Sequence, residues 1–237
     1  METMITVNHL TSAYGRKQIL RDISFTAGRG ECVGIVGVNG CGKSTLLSIL
    51  AGVQKPQSGE VMYYEYPAWS SSGKKYGSRV TCNREVIRKM TGYVPQENPL
   101  IPELSVYDNL RIWYPSRKQL DKELAEGALH LLGIDEFVHK KAEKLSGGMK
   151  KRVSIGIAMA GMPPILLLDE PSAALDLVCK AEIHRYLEAY LARKGTVVIT
   201  THEAEELALC DKLYVMKNGI LHPADPALRG EALVKLF

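Results

Sequence analysis

The residues best suited to chemistry gather in one short stretch. Gly37, Asn39, Gly40, Cys41, Gly42, Lys43, Ser44 and Thr45 all lie within residues 37–45. Glycine has no Cβ, so the backbone here can close around an anion with its N–H groups pointing inward. Lys43 adds a point charge for the outer phosphates of a nucleotide, and the Ser44 hydroxyl can ligate Mg²⁺. The spacing Gly-x4-Gly-Lys-Ser, set between an apolar run and a helical pattern, puts cradle, charge and metal ligand in the register a nucleoside triphosphate needs.

Two carboxylates form the second constellation. The aliphatic run at 165–168 ends in Asp169 and Glu170. Buried strands of parallel sheets read as continuous apolar runs, and their ligands bind beyond the carboxyl ends. Asp169 is therefore placed to hold Mg²⁺ through a water, and Glu170 to polarise the water that attacks the last phosphate. Ser146, Gly147 and Gly148 precede a helix-like stretch and make a second anion site by the same dipole argument.

These groups need a scaffold that brings distant segments together. Short apolar runs at 5–10, 23–26, 31–36, 61–64, 165–168, 196–200 and 213–216 read as strands. Helical patterns at 43–50, 177–193 and 203–209 alternate with them, and residues 100–162 read as mostly helical. That alternation predicts an α/β fold with a mostly parallel central sheet. Ser116 with Gln119 suggests a capping box, followed by helical spacing up to a C-terminal Gly133. Residues 67–88, rich in Ser, Gly and basic side chains, read as a solvated surface insertion or as a docking surface for an acidic partner.

A chain of 237 residues with 46% hydrophobic content supports one large domain with a sizeable core. A net charge of +4 is too slight to argue for nucleic acid. The five cysteines have no CxxC pairing, which suits reduced thiols in a cytoplasmic protein. No secretory signal is legible, and the longest charge-free stretch, 153–168, contains Pro163 and Pro164. It falls short of the roughly 20 apolar residues a membrane span requires.

With Leu145-Ser146-Gly147-Gly148-Met149 between the phosphate loop and the acidic strand, the chain resembles the ATP-binding cassette (ABC) family, whose signature reads LSGGQ. The resemblance runs nearly the whole length. Tyr14 matches the aromatic that stacks on adenine, Gln96 the glutamine loop, residues 173–176 the loop after the acidic strand, and His202 the switch histidine. It implies a P-loop NTPase fold with an N-terminal antiparallel β-subdomain and an inserted helical subdomain. Residues 1–99 and 163–237 would form the core and 100–162 the helical signature subdomain. It also implies an ATPase using ATP and Mg²⁺, with Glu170, His202, Gln96 and Lys43 in catalytic roles and Ser44, Gln96 and Asp169 at the metal. Two cassettes, identical or paralogous, would pair head to tail, each ATP lying between residues 37–45 of one and Ser146–Gly148 of the other. A separate transmembrane permease would hold the assembly at the cytoplasmic face.

Two positions depart from the commonest pattern: Met149 replaces the signature glutamine, and Cys41 stands where alanine is frequent. Met149 followed by basic residues resembles exporter-type cassettes, which favours efflux. Two other classes stay open: a soluble cassette working outside transport, and a regulatory module that binds nucleotide without turnover.

Overall fold

The computed structural model describes residues 2–65, 78–81 and 84–236. The chain opens with a hairpin, β1 (Thr3–Tyr14) and β2 (Lys17–Gly28), then β3 (Cys32–Val36) and the helix α1 (Lys43–Leu50). Strands β4 (Ser58–Glu65) and β5 (Ser78–Thr81) follow, and α2 (Arg84–Met90) leads into β6 (Thr91–Val94). Helices α3 (Val106–Arg111), α4 (Arg117–Glu126), α5 (Ala128–Leu131) and α6 (Gly147–Ala158) come next. The chain then alternates β7 (Ile165–Asp169), α7 (Leu177–Ala192), β8 (Thr196–Thr200), α8 (Ala204–Ala208), β9 (Lys212–Lys217), β10 (Ile220–Ala224) and α9 (Gly230–Val234).

The strands form two sheets. One is antiparallel, in the order β2-β1-β4-β5; the other runs β10-β9-β3-β8-β7-β6 and is parallel except for its β9–β10 edge. Every residue of β3, β7 and β8 is buried, as expected of strands covered on both faces. Leu166, Leu167 and Leu168 are fully withdrawn from water, each contributing about 2 kcal/mol of apolar burial.

The helix α1 is held between the sheets. Leu46, Leu47 and Leu50 share one apolar cluster with Ile35 and Ile165 of the parallel sheet and with Ile5, Leu20 and Tyr63 of the antiparallel one. A second cluster joins Leu166, Leu168 and Ile199 to Leu110, Leu129, Ile155 and Ile183 of the helices. The phosphate-loop helix is thereby clamped from both sides, and the helical segment is packed on the same parallel sheet.

The structure extends and corrects the sequence reading. β1 and β2 run well past 5–10 and 23–26, because pairing carries the hairpin through polar residues until Tyr14 meets Lys17 at the Gly15 turn. β5, α2, β6 and β10 were not legible as elements. β10 contains Pro223, which an edge strand tolerates. Part of the 67–88 insertion reading falls on residues 67–77 and 82–83, outside the described residues; 78–81 pair with β4, and 84–90 form α2.

The capping box is half made. Ser116 Oγ accepts from the Gln119 amide at 3.2 Å, but the Gln119 side chain reaches Ala160 O at 3.5 Å rather than returning to Ser116. The expected single helix breaks at Gly127, where the Glu123 carboxylate accepts the Ala128 N–H at 2.7 Å and caps α5. Gly133, in a left-handed conformation, ends the segment as expected.

Candidate functional site

The phosphate loop connects β3 to α1. Gly42 has φ +116°, and a Cβ there would lie 2.9 Å from Leu20 Cδ2, so only glycine fits. Gly42 is also the N-cap of α1 and offers no side chain to the first-turn N–H groups, which face the cleft as an anion site. Lys43 is buried; its Nζ donates to Gly37 O at 2.7 Å and lies 3.6 Å from Glu170 Oε1. The Cys41 side chain turns inward to the apolar cluster, and its N–H goes to Val38 O at 3.3 Å. Burial raises the Cys41 thiol above its ordinary value, with the Lys43 ammonium opposing.

Asp169 closes β7 and is 2% exposed. Its Oδ1 accepts from Thr200 Oγ1 at 2.7 Å, across the register that pairs the two residues. Glu170 then takes φ +49°, a sparsely populated conformation for a non-glycine residue. The Glu170 N–H donates to Thr200 O and Oγ1, at 3.0 and 3.1 Å, and holds this turn. The carboxylate points at Lys43 on one side and at Gln96 Nε2, 3.5 Å away, on the other.

One cleft of about 460 Å³ collects Tyr14, Asn39, Gly40, Gly42, Lys43, Ser44, Thr45, Gln96 and Glu170. Tyr14 stands at its rim, 54% exposed, with its hydroxyl donating to Gln54 Oε1 at 2.8 Å. A half-exposed ring lining the same cleft as the phosphate loop can take the flat face of a base. Asp169 lies behind this cleft rather than in its wall. His202 stands beside it: desolvation lowers the imidazole below its ordinary value and the Lys43 ammonium lowers it further, while Glu170 and the Gly37 backbone act the other way. Ser44, Gln96 and Asp169 offer a hydroxyl, an amide oxygen and a carboxylate, the hard oxygen donors that suit Mg²⁺.

Ser146, Gly147 and Gly148 are not in the cleft. Ser146 caps α6, its Oγ accepting the Met149 N–H at 3.2 Å. Gly148 lies against α7, where a Cβ would come 2.3 Å from Cys179 Sγ. Asp176 caps α7 by accepting the Cys179 N–H at 2.9 Å, and the hydrogen bonds from Cys179 hold its carboxyl below the usual range.

Three functional neighbours escaped the sequence reading. Thr200 binds both acidic residues; its place at the carboxyl end of a strand was the available signal. Lys151 donates to Pro95 O and Gln96 O, both at 2.9 Å; burial lowers its ammonium from the ordinary value, and Asp169 and Glu170 oppose this. Gln54 anchors Tyr14 and carried no sequence signal.

The family model described as ABC transporter matches residues 20–173. The chain belongs to the ABC transporter family. Its fold is the P-loop cassette of that family, with the antiparallel sheet beside the mostly parallel one. This ABC-family chain is 33% identical over 221 residues to the Fe(3+) ions import ATP-binding protein FbpC of Haemophilus influenzae, covering 91% of the chain and 60% of the relative. It is 32% identical over 220 residues to the linearmycin resistance ATP-binding protein LnrL of Bacillus subtilis, covering 91% and 67%. The chain thus spans about three-fifths to two-thirds of these relatives' lengths. A dimeric post-hydrolysis ATP-binding cassette bound to ADP and Pi superposes with a TM-score of 0.76 at 28% identity, covering 96% of this chain and all of that one.

Proposed function

We propose that this chain is the ATP-binding and ATP-hydrolysing subunit of a transporter, working as a head-to-tail pair on a separate transmembrane permease. The observation that carries the reading is a division of labour. One cleft gathers Tyr14, Lys43, Ser44, Gln96 and Glu170, while the second anion site at Ser146–Gly148 faces elsewhere. Two copies arranged head to tail bring each half-site to the other's nucleotide.

The proposed roles are those the family resemblance implies, and the geometry of the cleft supports them. The N–H groups of residues 37–45 and the end of α1 hold the phosphates, and Lys43 neutralises the outermost charge. Ser44, Gln96 and Asp169 would hold Mg²⁺, which would supply charge neutralisation on the bound triphosphate. Glu170, locked by Thr200 and flanked by Gln96, polarises the attacking water, and His202 reads the γ-phosphate. Because ATP touches both copies it favours the closed pair, and hydrolysis removes the bridge. Residues 1–99 and 163–237 act as the core and 100–162 as the helical signature subdomain.

A second cleft, of about 410 Å³, supports the permease partner. Val53, Tyr93, Pro99, Trp113 and Ile157 line it. Trp113 and the adjacent Ile112 are each more than half exposed, an apolar patch suited to a partner. Pro99 lies three residues beyond Gln96 in the connection between β6 and α3, so a permease segment seated here touches the nucleotide cleft's own glutamine loop. Among the described residues no helix is long and apolar enough to cross a membrane. The chain is placed at the cytoplasmic face through that permease.

Met149 with its trailing basic residues, and the resistance relative, support efflux; the iron-import relative matches equally well. Phosphate release from Mg-ATP and co-purification with a polytopic membrane protein test the main reading. ATP binding without release, even with the permease present, supports a regulatory module instead. Cargo uptake into inverted but not right-side-out vesicles assigns the direction.

A further inference from the structure

Lys151 is 5% exposed, a rare degree of burial for lysine. Its ammonium is spent on two backbone carbonyls, Pro95 O and Gln96 O, both at 2.9 Å. Those carbonyls belong to the turn leaving β6, whose next functional atom is the Gln96 amide facing Glu170 at 3.5 Å. A second contact pins the same loop two residues beyond Gln96. Ser154, one turn further along α6 and 2% exposed, donates its hydroxyl to Asn98 Oδ1 at 2.9 Å. Lys151 and Ser154 are three residues apart and share one helix face. Both are rigidly continuous with the Ser146 cap, lying five and eight helical residues from it, about 7.5 and 12 Å along the axis.

We propose that Lys151 is a positioning residue that fastens the Gln96 loop to the signature helix, so that Ser146–Gly148 and the Gln96 amide move as one unit. The inference rests on the ATPase reading above and deepens it. A nucleotide held by the partner copy at the start of α6 thereby sets where Gln96 meets Glu170 in this copy's own cleft. Without the ammonium, the backbone at Pro95 and Gln96 loses a charged donor, and the amide loses its fixed base.

The test uses the full chain with Lys151→Met, which keeps most of the apolar stem, and Lys151→Arg, which keeps the donors. In the Met variant, amide hydrogen exchange at residues 96–98 accelerates by about tenfold or more, the expected loss for a charge-assisted hydrogen bond. In ATPase assays kcat falls about tenfold while KM for ATP stays within about twofold, the mark of an interaction used after binding. Lys151→Arg restores most of both. Lys151→Met combined with Gln96→Ala loses no more kcat than Gln96→Ala alone. Wild-type exchange at 96–98 in the Met variant overturns the proposal, and so do additive losses in the double variant. A wild-type chain that hydrolyses nothing overturns the ATPase reading instead, and the exchange arm still decides whether Lys151 holds the loop. If Lys151→Met does not fold, Lys151→Gln carries the same comparisons.

Discussion

Lys43 and Glu170 face each other across the floor of the cleft, Nζ to Oε1 at 3.6 Å, with 5% and 17% of their side chains exposed. One belongs to the phosphate loop and the other to the turn after β7. Their approach joins the two constellations that the sequence presents more than a hundred residues apart. It would also set up a competition, because a phosphate bound at Lys43 would draw the ammonium from Glu170 and leave that carboxylate to water.

Lys43→Ala removes the point charge but leaves the glycine cradle intact. Affinity for Mg-ATP should fall by roughly 10–100-fold, the range for a charge-assisted hydrogen bond. Titration with a fluorescent nucleotide measures it. Unchanged affinity would take Lys43 out of phosphate binding.

Thr200→Val keeps shape and burial but removes the hydroxyl that donates to Asp169 and accepts from Glu170. Stability should drop by about 1–3 kcal/mol. Half-maximal hydrolysis should need severalfold more Mg²⁺, because Asp169 loses its orientation. Thr200→Ser should recover both, as read by denaturant unfolding and by metal titration of the ATPase.

Glu206 is 3% exposed, and its carboxylate accepts from the Thr201 hydroxyl. Desolvation raises its carboxyl above the ordinary value, and hydrogen bonds from Ser172 and Thr201 oppose this without reversing it. A raised folded-state value means that folding favours the protonated form. That stabilisation is complete below the usual carboxylate range, near pH 4, and is lost as pH rises through the folded-state value. Glu206→Gln should therefore raise Tm at pH 7.5 by about 2–4 °C, equivalent to about 1 kcal/mol. The gain should vanish as pH approaches 4; a constant difference across pH would contradict the assignment.

Cys41 Sγ is packed so closely against the loop that a Cβ on Gly37 would lie 2.9 Å from it. With its thiol raised by burial, Cys41 should react with iodoacetamide far more slowly in the folded chain than in urea. Once modified at Cys41, by peptide mapping, the chain should lose Mg-ATP binding, because the loop cannot close over the added group. Full affinity after verified modification would refute this.

The legible part of this molecule was whatever leaves a local mark. The glycine spacing at 37–42 gave the loop, and the apolar run at 165–168 gave a strand buried on both faces. Length was less legible: β1 continues through Asn8, His9 and Thr11 because β2 and β4 pair with it, which no local pattern reports. β6 is only Thr91–Val94, and its strand character comes from lying beside β7. Thr200, Gln54 and Lys151 are ordinary residue types whose importance arises from what they touch across the fold. Cys41 belongs to the phosphate loop by sequence, and only the fold shows that its side chain packs into the apolar cluster.

The ATP-bridged pair is tested most directly by the oligomeric state of Glu170→Gln under saturating Mg-ATP, measured by light scattering on the chromatographic peak. Hydrolysis should fall by about 100-fold or more, ATP affinity should be retained, and a stable dimer should form that returns to monomer with Mg-ADP. A variant that binds ATP but stays monomeric, with its permease also present, would contradict the claim that the nucleotide bridges two copies.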